Sequence, residues 1–108
     1  MSDIAEKDWK LLRRLQPVLL ERFCEEILAQ AVDIAESTND TNHERYLKLY
    51  RFLKEKDREM AYAFDDYRRS NARLKIHSLY ACGIITDEEV QEFSEEIRYM
   101  IRMMNSPG

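Results

Sequence analysis

The sequence predicts an all-α protein, a long antiparallel helical hairpin plus a shorter third helix, dimerising into a helical bundle. Three observations predict it. Glycine and proline occur twice each in 108 residues, too few for β-hairpins, Gly-rich phosphate loops or barrels. Apolar residues recur at three- and four-residue steps along most of the chain, the rhythm of one helical face. Thr41-x-x-Glu44 and Thr86-x-x-Glu89 have the spacing of capping boxes and mark two helix starts.

The first helix is expected over about residues 3–36, where Leu12, Leu15, Leu19, Phe23, Ile27, Ala31 and Ile34 form one stripe. Pro17 falls inside it and predicts a kink near Arg13–Leu15 or a restart with proline in the first turn. Ser37-Thr38-Asn39-Asp40-Thr41-Asn42 is a run of short polar side chains that compete for backbone hydrogen bonds, so a loop is expected there. The second helix is expected over 43–82, ended by Gly83 in a left-handed conformation. The third is expected over 87–104, with Asn105-Ser106-Pro107-Gly108 as a fraying terminator.

Composition excludes several classes. A formal net charge of −4, 44% hydrophobic and 35% charged residues suit one folded domain over 1–108 and not a disordered chain or a basic nucleic-acid coat. No apolar stretch approaches the roughly 18 residues of a membrane span. The start, Met1-Ser2-Asp3, lacks a basic segment followed by an apolar one, so a cytoplasmic location is the expectation. Cys24 and Cys82, far apart and among apolar neighbours, read as reduced, buried thiols.

A second helix of that length would extend about 60 Å, against a radius of gyration of about 13 Å for a compact domain of this size. A short third helix cannot cover both ends of such a hairpin, and the loop end carries Phe23, Ile27 and Leu28 opposite Tyr46, Leu49, Tyr50 and Leu53. Leu47 and Phe52 lie roughly 60° beyond the two edges of this stripe, which makes it wider than one antiparallel helix can cover. Self-association through the first two helices into a four-helix bundle is therefore expected, with those nine residues as its interface.

Charges supply the other candidates. The run Lys54–Glu59 interrupts the stripe, and Asp57 stands where the rhythm asks for an apolar residue, so it is a candidate for setting register or binding a partner. Asp65 precedes Arg68 and Arg69 at the spacing of intrahelical ion pairs, with Asp66 beside it. Arg68, Arg69, Arg73 and Lys75 form the one local basic concentration, able to meet a phosphate or an acidic partner. No groove-reading motif accompanies them.

Catalytic chemistry finds no motif. Neither His43 nor His77 ends a Glu-x-x-His motif, as a carboxylate-bridged diiron bundle requires: position 74 is leucine, and the Asp40 three residues before His43 stands in the expected loop rather than on the helix. H-E-x-x-H, G-x-S-x-G and the phosphate loop G-x-x-x-x-G-K-[ST] are absent, and no cofactor or metal is expected.

The segments His43-Glu44-Arg45-Tyr46-Leu47-x-Leu49-Tyr50-Arg51, Asp57-Arg58-Glu59-Met60-Ala61 and Ala63-Phe64-Asp65-Asp66-x-Arg68-Arg69-Ser70, followed by Gly83, Thr86-x-Glu88-Glu89 and Phe93-Ser94, together resemble a small bacterial helical family of unassigned function. The match spans most of residues 43–98. Some members of that family carry the label of peptide chain release factors. Such factors hydrolyse peptidyl-tRNA with a Gly-Gly-Gln tripeptide, whereas here the two glycines stand 25 positions apart and neither adjoins a glutamine. The resemblance implies a bacterial, cytoplasmic helical protein and transfers no catalytic residue. The expectation is a non-enzymatic interaction module that self-associates through the first two helices and offers its charged second-helix faces to another macromolecule, a second protein among the candidates. An RNA- or ribosome-associated factor using the basic cluster is the alternative, and a small-molecule sensor or enzyme without a recognisable motif ranks third.

Overall fold

A computed structural model describes residues 4–105, and within them the regular structure is helical throughout. The helices are α1 (Glu6–Ala35), α2 (Asn42–Phe64), α3 (Ala72–Ala81), α4 (Asp87–Val90) and α5 (Glu95–Asn105), with a 3₁₀ turn at Arg69–Asn71 before α3. The chain gathers into two compact units, one formed by residues up to 19 together with those from 66 onward, the other by residues 20–65.

Helix α1 is unbroken across Pro17. Proline deprives the Arg13 carbonyl of its donor, and both residues are exposed, so the lost bond falls on the solvent side of the helix rather than in the core. The expected start near residue 3 lies outside the described residues, as do 106–108 of the expected terminator.

In the unit of residues 20–65, the two long helices pack against each other and run antiparallel. Phe23, early in this part of α1, meets Phe64 at the end of α2 edge to face, ring centroids 5.6 Å apart. The turn is tied by local polar bonds. Thr41 Oγ1 accepts from the Glu44 amide at 3.1 Å and Glu44 returns the bond to the Thr41 amide at 2.8 Å, the expected capping box. The Arg45 guanidinium donates to the Ala35 carbonyl at 2.6 Å, satisfying one of the groups that the end of α1 leaves open.

The second helix does not run to residue 82; it ends at Phe64. Asp65 is extended and Asp66 adopts a left-handed conformation with φ 59°, which a short polar side chain tolerates better than most. Asn71 then holds the break open: its amide nitrogen donates to the Asp66 carbonyl at 2.9 Å and its oxygen accepts from the Arg68 amide at 3.0 Å. At 23 residues α2 is about 35 Å long, so the overhang expected of a 60 Å helix does not exist. The intrahelical pairs expected between Asp65 and Arg68 or Arg69 fail for the same reason, since these residues share no helix.

In the other unit, the fully buried side chains include Leu12, Leu19, Ile76, Leu79, Phe93 and Ile97. Helix α3 packs on α5, and α4 on α5. Gly83 ends α3 as expected, with φ 81°: its amide donates to the Tyr80 carbonyl at 3.0 Å and the Ile84 amide to the Leu79 carbonyl at 2.9 Å. A Cβ added to Gly83 would meet nothing within 4 Å, so the cost of Gly83→Ala is the backbone conformation alone. Thermal unfolding is expected to show a loss of about 1–2 kcal/mol.

The third helix expected over 87–104 is two helices. The Thr86–Glu89 capping box starts α4, with bonds of 3.1 and 2.9 Å, but α4 ends after four residues. The chain turns through Gln91–Ser94, buries Phe93 completely, and restarts as α5. What interrupts the helix is distant in sequence. Asp8, fully buried on α1, accepts the Ser94 amide at 2.7 Å and the Ser94 hydroxyl at 2.5 Å, and so occupies the donor at the start of α5. Arg98 reaches back to the Phe93 carbonyl at 2.6 Å.

Candidate interaction surface

The hairpin of residues 20–65 has a thin core. Phe23, Ile27, Ala63 and Phe64 are buried, while Leu47, Leu49, Phe52 and Met60 are only partly covered. Phe23 and Ile27, expected at an interface between copies, are instead buried in the hairpin's own core. Leu28 is 65% exposed, Val32 51%, Tyr46 63%, Tyr50 56%, Tyr62 60% and Leu53 42%, so these large side chains stand about half or more in water.

Helix geometry places Leu28, Tyr46, Tyr50 and Leu53 on one side, whereas Val32 lies on the outer edge of α1 with Glu21 and Glu25 and Tyr62 on the opposite side of α2. At 100° per residue, Leu28, Ala31 and Ala35 lie roughly 60–120° round α1 from the midline of its buried stripe. Tyr46, Tyr50 and Leu53 lie the same angular distance, in the same sense, round α2 from its own. In an antiparallel pair the same sense of rotation points both sets to the same side of the hairpin. Glu26, Asp33, Lys48, Glu55 and Glu59 fall on the other side. There Lys48 pairs with Asp40 at 2.7 Å beside an open depression of about 240 Å³ lined by Asp33, Ile34, Ser37, Asp40 and Lys48. The Lys48 hydrogen bond holds the Asp40 carboxyl below its ordinary range, and Asp40 in turn raises the Lys48 ammonium. The hairpin thus has one polar face and one apolar face.

The six-charge run falls into local pairs, Arg58 with Glu55 at 2.8 Å and Lys56 with Glu59 at 3.1 Å. Lys56 also lies over the Phe52 ring, 5.8 Å from its centroid. Asp57 is exposed, roughly 100° round α2 and so within the apolar face, where it stands between Leu53 and Ala61.

In the other unit, the basic residues are dispersed among acids. Arg68 pairs with Asp66 at 3.1 Å, and Arg73 with Glu96. Arg69 makes two bonds to the Glu6 carboxylate at 3.1 and 3.0 Å and lies 5.2 Å from the Trp9 ring centroid, with Arg13 also stacked on that ring at 5.5 Å. The Arg69 hydrogen bond lowers the Glu6 carboxyl from its ordinary range. Lys75 is buried. A contiguous patch for a phosphate chain requires unpaired cations side by side, and these side chains are instead engaged with their own chain. Trp9 belongs to this packing.

Two further expectations change. Cys82 is exposed and Cys24 half-buried, because Cys82 sits at the surface-facing end of α3, its thiol 3.6 Å from the Leu79 carbonyl. Tyr67 is half-buried in the break after α2, and its hydroxyl is enclosed without a hydrogen-bond partner among the described residues. Burial pushes this phenol from its ordinary 10.0 up to about 12. The folded state therefore holds the proton more tightly than the unfolded state, and the resulting stability is present below about pH 10 and lost as pH rises towards 12. Spectrophotometric titration is expected to show one late-ionising tyrosine. Tyr67→Phe should abolish it and leave the protein about 1 kcal/mol more stable, because an unsatisfied buried hydroxyl is removed.

Among the described residues no cluster of three or more His, Cys, Asp or Glu is placed to hold a metal, and no helix is long and apolar enough to cross a membrane. Comparison with protein-family models, with curated proteins and with solved structures finds no match to this chain.

Proposed function

We propose that the protein is a non-enzymatic helical interaction module that self-associates through the apolar face of the α1–α2 hairpin. The observation that carries this reading is the concentration of Leu28, Tyr46, Tyr50 and Leu53 on one side of a two-helix layer whose other side is mostly charged. Four side chains of this size, each about half exposed, present on the order of 400 Å² of apolar surface. That is the size of the largest patch a monomer leaves in water, and such a patch is often functional. Covering a Leu or Phe-sized side chain contributes about 1.5–3 kcal/mol, enough in sum to offset the entropy of association. A second hairpin laid face to face completes a four-helix bundle, the layer arrangement in which an amphipathic helix pair finds both of its neighbours.

Substituting Tyr50→Glu together with Leu28→Glu tests the reading, since it puts two charges per copy into the covered face while both positions are exposed within the hairpin. Self-association is expected to weaken at least a hundredfold in sedimentation, with helical circular dichroism unchanged. The same mass for variant and parent would refute this surface as the interface.

A further inference from the structure

Resting on that reading, we infer that the second copy stacks with its α2 over α1 of the first and its α1 over α2, the two hairpin turns lying at the same end of the bundle. Two hairpins can meet face to face about a two-fold axis in only two aligned ways. An axis parallel to the helices sets α1 on α2 of the second copy and keeps both turns together. An axis across the helices sets α1 on α1 and α2 on α2, with the turns at opposite ends.

Charge separates the two. Residues 20–35 of α1 hold four acids and one base, a net charge of −3, whereas α2 holds six bases and four acids, a net charge of +2. Glu21 and Glu25 lie along the outer edge of α1; Lys54 and Arg58 lie along the outer edge of α2. Stacking α1 on α1 sets acid against acid and base against base, while stacking α1 on α2 sets acid against base.

Side-chain size points the same way and is independent of charge. The apolar face of α1 is largely small, with Ala31 and Ala35 flanking Leu28, and that of α2 is large, with Tyr46, Tyr50 and Leu53. Like-on-like stacking produces one seam of alanines and one of opposed tyrosines, which hold the hairpins at unequal separations. Unlike stacking produces two identical seams in which a large residue lies over a small one. The register fits. Both helices climb 1.5 Å per residue away from the same turn, where Arg45 grips the Ala35 carbonyl, so Ala35 is level with about Tyr46, Ala31 with Tyr50 and Leu28 with Leu53. A two-fold parallel to the helices preserves height, and the same pairs then meet between copies.

Disulfide trapping distinguishes the arrangements. In full-length chains carrying Cys24→Ser and Cys82→Ser, one population receives Leu28→Cys and a second, differently tagged, Leu53→Cys. After mixing and mild oxidation, crosslinked dimers containing one chain of each kind are expected, and neither variant should crosslink alone. Self-crosslinking of Leu28→Cys, or a dimer trapped by neither combination, would overturn the arrangement while leaving self-association intact. A chain that sediments as a monomer removes the self-association itself. Raising sodium chloride from low to high supplies a second readout: the dissociation constant should rise, on the order of tenfold for four edge pairs related by the two-fold, whereas like-on-like stacking makes it fall.

Discussion

Asp8→Ala is expected to destabilise the protein by about 3–5 kcal/mol, because hydrogen bonds to a charged group contribute about 1.5–3 kcal/mol each and this side chain accepts two. The carboxylate is fully buried and takes both the amide and the hydroxyl of Ser94, 86 positions away, so its removal leaves two donors unsatisfied at the start of α5. It also removes a polar tie between the beginning of α1 and the turn between α4 and α5. Asp8→Asn is the informative control. Its carbonyl oxygen can still accept the Ser94 amide and its nitrogen can donate to the hydroxyl, so about half of the loss should return. Urea unfolding of the two variants measures both. A loss below about 1 kcal/mol for alanine would mean that α5 is positioned by apolar packing alone.

Phe93→Ala is expected to cost a similar about 3–5 kcal/mol, for a different reason. Phe93 heads the largest wholly buried side chains and belongs to no helix; it is carried inward by the turn between α4 and α5. Its ring is completely buried in a unit whose other fully buried side chains include Ile97, Leu79 and Ile76, and truncation forfeits both the transfer of the ring from water and its packing. Phe93→Leu keeps most of the volume and should cost only about 1–1.5 kcal/mol. Calorimetry that found the alanine variant within 1 kcal/mol of the parent would show that the turn can collapse onto the space left behind.

The local signals were legible in the sequence and the distant ones were not. Both capping boxes, the polar loop and the glycine terminator act within five residues of themselves, and each stands where the spacing predicts. The break after Phe64 escaped because it uses neither glycine nor proline. Its signal, the short polar residues Asp65, Asp66, Ser70 and Asn71, resembles that of the recognised loop at 37–42 but is interleaved with Tyr67 and two arginines that suit a helix. The split of the last helix has one local sign, Ser94 followed by Glu95 and Glu96 as a cap and acidic first turn, while its long-range partner, the carboxylate of Asp8 on α1, is not readable from spacing.

The same division holds for the candidate surface. Helical spacing sets Tyr46, Leu49, Tyr50 and Leu53 across from Phe23, Ile27 and Leu28 with Leu47 and Phe52 beyond the edges, whereas in the structure Leu28, Tyr46, Tyr50 and Leu53 are exposed and Leu47, Leu49 and Phe52 are partly covered. For the cations, the sequence offered neighbours three and four residues away, whereas Arg69 pairs with Glu6, 63 positions distant, and Arg73 with Glu96, 23 distant. Spacing on one helix cannot anticipate partners supplied by the tertiary fold. The loss of the 60 Å helix also changes why a second copy is expected: not an overhang that the third helix fails to reach, but a two-helix layer with one apolar side left in water.

Sedimentation equilibrium of the intact chain at tens of micromolar tests that expectation most directly. A mass twice the 13.0 kDa of one chain, falling towards it on dilution, is the expected result. A mass of 13.0 kDa at every concentration would contradict self-association through the hairpin.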